Sequence, residues 1–159
     1  MFPKAIIIGL IILTLGIGSY LLYSQWAVQG APVIKITPDS YDFGRVKAGG
    51  KVVSTLFTVE NTGRSDLIIN NMDSSCGCTT AALIVNGVEG PRFTMSMHGT
   101  NPRGWSARLK PGEQAQLKIY YDPNVHPKLR GPVTRFIMVF SNDPRNPIIR
   151  VFISATQTD

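Results

Sequence analysis

The chain has 159 residues, 43% hydrophobic and 16% charged, with 16 Lys and Arg against 10 Asp and Glu. That is the size of a single domain and too apolar for a disordered chain. Two cysteines are too few for a disulfide-dense scaffold, and the absence of a sustained heptad or Gly-x-y repeat excludes coiled coil and collagen.

From Ala5 to Tyr23 the chain runs 19 residues without a charge. As a helix this stretch is about 28 Å long, close to the ~30 Å hydrocarbon thickness. A signal-peptide core is shorter, at about 7–15 apolar residues. The pattern predicts an N-terminal transmembrane anchor over residues 1–23, then a linker over 24–32. Val28 and Gly30 before Ala31-Pro32 form a weak small-x-small site, so a cleaved signal is a second reading. A buried core helix is a third. Tyr20, Tyr23 and Trp26 fit an aromatic belt. Lys4 precedes the span and the next charge is Lys35. The positive-inside rule then predicts a single-pass protein of the cytoplasmic (inner) membrane. Its N-terminus would be inside and its body in the periplasm or outside the cell.

Beyond residue 30 the helical period stops. Ten of the eleven prolines and twelve of the fifteen glycines lie after the apolar run. They punctuate short segments rich in β-branched and aromatic residues, the pattern of an all-β sandwich or barrel. Strands are expected at 33–37, 52–60, 67–71, 81–85, 92–97, 115–121, 133–140 and 148–155. Ala115, Leu117, Ile119 and Tyr121 alternate with Gln116, Lys118 and Tyr120, so the first set faces inward. Ile149, Val151, Ile153 and Ala155 make one face of the last strand. The 133–140 strand is apolar on both faces and should be central or covered. Asn61-Thr62-Gly63 suggests a hairpin with glycine at positive φ. Pro111-Gly112 suggests a type II turn, and Asn142-Asp143-Pro144 a turn between the last two strands. Seven or eight strands over residues 33–159 match an immunoglobulin-like sandwich in count.

Four segments carry a resemblance: Tyr41-Asp42-Phe43-Gly44, Ser75-Cys76-Gly77-Cys78-Thr79, Pro111-Gly112-Glu113 and Ser141-Asn142-Asp143-Pro144. In order and spacing they resemble the bacterial exported domain-of-unknown-function family marked by the SCGCT motif. That family is distantly similar to the immunoglobulin-like domains of Hydin and major sperm protein type. The resemblance covers about residues 33–156. It implies a seven-stranded sandwich displayed outside the cytoplasmic membrane. The family has no settled activity, so the resemblance implies little about function. A long connection over about residues 86–110 exceeds a minimal sandwich, and long loops on a rigid scaffold are where function concentrates.

Cys76-Gly77-Cys78 is the most chemical feature, and three readings compete. A disulfide is the first. Residues i and i+2 of an extended strand lie roughly 6.6 Å apart, at the upper end of the bridgeable range, and Gly77 gives the chain room to tighten. A metal site is the second, with copper or zinc held by Cys76, Cys78, His98 and His126 and with Met95 and Met97 as added thioethers. Thiol–disulfide exchange is the third, although such motifs usually have two residues between the cysteines and a helix N-terminus beside them. Each histidine alone is most simply a loop residue.

No P-loop, dinucleotide fingerprint or nucleophile elbow is present in the sequence. The expected role is therefore a non-catalytic binding or scaffold module with a protein partner in the cell envelope, held to the membrane through the helix. Arg103, Trp105 and Arg108 in the long connection are the expected contacts, because Trp and Arg are enriched at binding hot spots. Sandwich edges offer strand addition as a mode of recruitment. The expected location disfavours nucleic acid. A metal accessory protein is the alternative, and a redox protein the third.

Overall fold

The computed structural model describes residues 3–97 and 99–159, and within the helix it leaves side chains 4, 5, 7 and 24–29 undescribed. The apolar N-terminal run forms helix α1 (Lys4–Gln29), which extends through most of the expected linker. Its described side chains are almost all exposed, Leu15 and Leu22 among them, and none joins the core.

The expected anchor does not stand. Among the described residues no helix is long and apolar enough to cross a membrane. The expected inner-membrane location, and the orientation that followed from it, fall with the anchor.

The rest is a sandwich of two five-stranded sheets. The first has the order β1 (Ile34–Thr37), β3 (Val53–Asn61), β8 (Gln114–Tyr121), β5 (Thr79–Val85), β6 (Val88–Glu89). The second has β2 (Ser40–Lys47), β10 (Ile148–Thr158), β9 (Gly131–Ser141), β4 (Leu67–Ser74), β7 (Ala107–Leu109). Seven of the eight expected strands form. The exception is 92–97, where only Phe93 makes a bridge, to Ala81. Three strands were not foreseen: β2, β6 and β7.

Each miss has a local cause. Strand β2 carries Gly44 at φ +66°, and its parallel pairing with β10 shifts register beside that glycine. A bulge of this kind breaks the alternation that marks a strand. Asn86 and Gly87 both take positive φ and join β5 to β6 as a two-residue hairpin. Strand β7 is three residues, too short to show a period.

The core lies between the sheets. Phe57, Val59, Leu117, Ile119 and Tyr121 come from the first, and Leu67, Ile69, Met72, Ile137, Val139 and Ile153 from the second. The inward face expected for 115–121 is the observed one. Strand β9 is third of five in its sheet, central as its two-faced apolarity requires. Gly112 takes φ +78°, and Glu113 N–H donates to the Lys110 carbonyl across that turn. Gly63 is different: it is not among the positive-φ residues. A Cβ there would stand 2.4 Å from Val33 N and 2.5 Å from Ala31 O. Its role is close backbone approach, and the chain there passes from one sheet to the other instead of closing a tight hairpin.

Candidate functional site

The Cys-Gly-Cys segment lies between β4 and β5 in a turn, not in the extended strand expected. Thr79 N–H donates to the Cys76 carbonyl at 3.0 Å. The Ser74 hydroxyl donates to that same carbonyl at 2.9 Å, and Ser75 is bound on both sides to Phe136 of β9. Turning the chain brings the two Cα atoms to 5.2 Å, and Cys76 and Cys78 form a disulfide.

The two sulfurs have different neighbours. Cys76 Sγ lies 3.3 Å from His126 Nε2 and accepts the Cys78 N–H at 3.2 Å. Cys78 Sγ accepts Arg135 Nε–H at 3.4 Å and lies 3.7 Å from the Thr79 hydroxyl. Cys76 faces a cleft of about 400 Å³ lined by Ser75, Gly77, Thr94, Met95 and His126, which Cys78 does not line. An adjoining cleft of about 430 Å³ runs along His126, Lys128 and Leu129 to Arg135. His126 is exposed and stands between the two.

Of the four expected metal ligands, three come together. The ligand atoms of Cys76, Cys78 and His126 all lie within 4.8 Å of one another. His98, the fourth, lies outside the described residues. Joined as a disulfide, the sulfurs lack the thiolate charge that copper or zinc needs, so this set suits a metal only when reduced. Met95 reaches the cleft, while Met97 is 82% exposed.

The expected partner contacts are divided. Arg103 and Trp105 line one shallow depression of about 550 Å³ with Asn70, Asn71 and Asn101. Trp105 is half-buried and packs edge-on against Phe93 at 5.0 Å, so much of it anchors the loop. Arg108 stands apart on edge strand β7, paired with Asp66 at 3.1 Å. The long connection is tied down. The Asn101 side chain exchanges hydrogen bonds with the backbone of Thr94 at 2.8 and 2.9 Å, and Ser96 donates twice to Asp73.

Sequence reasoning missed Arg135, because only the folded register brings β9 to Cys78. It also missed how the outer face of the second sheet is built. Met138 lies opposite Arg150, Phe136 opposite Phe152, and Phe140 opposite Ile148. Ile148 is 49% exposed and Phe152 40% exposed. The Phe136 and Phe152 rings meet at 5.9 Å, with the Arg150 guanidinium 5.6 Å over Phe136. Asn71, at the rim of the Arg103–Trp105 depression, is opposite Phe140, so strip and depression adjoin. The other sheet presents a polar network instead. There Glu89 pairs with Lys118 at 3.4 Å and accepts the Tyr120 hydroxyl, and Arg92 covers the Tyr120 ring at 3.7 Å.

A family model described as "Protein of unknown function (DUF1573)" matches residues 34–89. That range holds two of the four segments quoted above, Tyr41–Gly44 and Ser75–Thr79. No curated protein matches the chain. Among solved structures, the chain is similar to a protein of unknown function from Porphyromonas gingivalis W83, with TM-score 0.60 and 18% identity over 81% of this chain. It spans 48% of that protein's chain. It is also similar to the ASH / PapD-like domain 7 of human CEP192, with TM-score 0.50 and 16% identity over 82% of this chain and 88% of that one. The fold is thus immunoglobulin-like and PapD-like. At these identities the likeness reaches no further than the fold.

Proposed function

We propose that the chain is a non-catalytic binding module that docks a protein segment on the outer face of its second sheet. The observation that carries this is the apolar strip of Phe136, Met138, Phe140, Ile148 and Phe152. A solvated sheet face is normally polar; here Ile148 and Phe152 are exposed and Phe136, Met138 and Phe140 are half-buried beside them, and an apolar surface of this kind marks an interaction site. The opposite sheet, with its Glu89–Lys118–Tyr120 network, shows the ordinary alternative.

The flanking charge selects the occupant. Arg150 lies within the strip and Arg103 at its rim, while the carboxylate of Asp73, opposite Met138, is taken up by two hydrogen bonds from Ser96, in a chain of net charge +6. The partner that fits is a polypeptide segment with apolar residues along its centre and acidic residues at its edges. A second copy of this chain would bring like charges together. Strand addition fits less well. β1, β6 and β7 are edges of four residues or fewer, and β2 carries a bulge, Arg45 and Lys47, devices that protect an edge from pairing.

Photo-activated cross-linking residues at Met138 and Ile148, in the full chain made in its own cells, test this. One at Leu56, exposed on the other sheet, is the control. The expected result is one discrete adduct at 138 and 148 but not at 56, lost in Arg150→Glu, whose cross-linked peptide carries acidic residues. An equal yield at 56 overturns the reading, as does a cross-linked pair of copies of this chain.

A further inference from the structure

Attack on a disulfide sulfur proceeds by a thiolate that forms a mixed disulfide and expels the other sulfur. The rate depends on access to the attacked sulfur and on how well the departing thiolate is stabilised. The Cys76–Cys78 bridge is asymmetric in both respects. Both cysteines are buried, Cys76 at 8% and Cys78 at 2% exposed, but Cys76 lines the cleft and Cys78 does not. The cation lies on the other side, with Arg135 Nε–H directed at Cys78 Sγ. Gly77 adds to the access. Among the described residues a Cβ there would meet nothing within 4 Å, and Gly77 has no positive φ. None of the described residues demands glycine there, and its missing side chain leaves the approach to Cys76 open.

The geometry points to a thiol–disulfide exchange site in which Cys76 is the attacked sulfur, Cys78 the departing one, and a dithiol the reductant. A thiolate of the dithiol attacks Cys76 Sγ. A bond forms between the reductant's sulfur and Cys76 as the Cys76–Cys78 bond breaks. The electron pair leaves on Cys78 Sγ, beside the Arg135 guanidinium and the Thr79 hydroxyl. The reductant's second thiolate then attacks its own sulfur in the mixed disulfide and releases Cys76 as a thiolate next to His126. Two electrons pass to the pair, the reductant departs as a disulfide, and its two protons go to solvent or to the released sulfurs. A disulfide substrate drives the same steps in reverse. A metal on the reduced pair is the competing use of these groups. Arg135 argues against it, because a guanidinium 3.4 Å from Cys78 Sγ repels a cation there and favours the bare thiolate.

The purified full chain in dithiothreitol redox buffers tests this, with thiols counted by alkylation and intact mass. The expected result is a reversible two-electron transition between zero and two thiols. Arg135→Gln should slow reduction about fivefold, and Arg135→Lys should restore most of the rate, as loss and return of a cation at the departing sulfur require. Gly77→Val should slow glutathione more than the smaller mercaptoethanol, a readout that stands even if position 135 proves essential for folding. In Cys78→Ser, oxidised glutathione should mark Cys76. Equal rates in wild type and a folded Arg135→Gln, together with no size discrimination in Gly77→Val, overturn the proposal. So does one zinc or copper per reduced chain in native mass spectrometry. Met138→Ser disturbs the proposed docking face and should leave the exchange rate unchanged, so the two readings fail separately.

Discussion

Gln157 holds the backbone of His126: its side-chain amide donates to the His126 carbonyl at 3.0 Å and to the Pro123 carbonyl at 3.2 Å. Its own carbonyl oxygen accepts the Tyr121 hydroxyl at 2.6 Å. Gln157 and Tyr121 are both buried. One polar side chain at the end of β10 thus fixes the loop that brings His126 to Cys76. Gln157→Leu would strip partners from two carbonyls and a hydroxyl. The expected cost is about 2–3 kcal/mol in urea unfolding, part of the penalty being relieved by water. Disulfide reduction should also become faster as the loop loosens. A variant as stable as wild type would show that the loop is held by its prolines.

Burial raises the Tyr121 hydroxyl above its usual value of 10; Arg135 lowers it and Asp122 raises it further. With the folded value above the unfolded one, the associated stability is complete below about pH 10 and is lost as pH rises through the folded value. Tyr121→Phe should flatten that alkaline loss, measured as Tm against pH, while being less stable at neutral pH because Gln157 loses its donor.

Asp143 predicts the opposite acid–base behaviour. Burial raises its carboxyl, but backbone N–H groups of Arg145, Ile34 and Asn146 outweigh that and hold it below 3.8. The distances are 2.8, 3.0 and 3.1 Å. The carboxylate therefore ties the β9–β10 turn to the start of β1. A depressed folded value gives stability that is present above the unfolded value and is lost as pH falls through the folded one. Asp143→Asn should cost about 1.5–3 kcal/mol at pH 7, the range for hydrogen bonds to a charged group. The gap to wild type should close below pH 3.8. A gap that persists undiminished at low pH would assign the loss to packing.

The sequence made the turn at Asn142-Asp143-Pro144 legible but not this use of it, because the Ile34 bond joins residues 109 apart. The same division runs through the molecule. Seven strands and the 115–121 inward face were readable because alternation is local. Strand β2 was not, because a bulge at Gly44 erases its alternation. The Cys-Gly-Cys segment announced itself by residue type, and His126 by being one of two histidines. Arg135 carried no signal: its approach to Cys78 depends on how β9 aligns with the β4–β5 turn. The apolar N-terminal run correctly indicated a helix, but its length in sequence was an insufficient guide to a membrane span.

Gly63 and Gly112 should fail for different reasons when changed to alanine. At Gly112 the burden is φ +78°, costing about 1–2 kcal/mol without moving neighbours. At Gly63 the added Cβ meets Val33 N, Ala31 O and Pro32 C, all within 2.7 Å. Because these are backbone atoms, the segment leading into β1 must shift, at about 1–3 kcal/mol. Amide exchange separates the two. Gly63→Ala should speed exchange at Lys35 and Thr37, which β1 pairs with Glu60 and Thr58 in the hydrogen-bonded positions of the antiparallel ladder, and Gly112→Ala should not.

Asn61 supplies the sharpest test of how the sandwich's end is closed. It is fully buried. Its Nδ2 donates to the carbonyls of Ser65 at 2.8 Å and Leu109 at 2.9 Å. Its Oδ1 accepts the N–H of Gly63 at 3.0 Å and that of Val33 at 3.4 Å. One side chain thus joins β3 to the connection before β4, to β7 and to the approach to β1. Asn61→Asp keeps the shape and reverses one half of the chemistry, placing a carboxylate oxygen against two carbonyls. At neutral pH it should cost about 3 kcal/mol, the scale for a buried charge with unmatched partners. Burial and the two carbonyls would raise the folded value of the new acid above the unfolded ~3.9. The variant should therefore recover stability relative to wild type as pH falls, the reverse of Asp143→Asn, because only the protonated acid can donate to one of those carbonyls. Urea unfolding at pH 7 and pH 4 measures both, and a penalty equal at the two would show that the pocket admits water to solvate the charge.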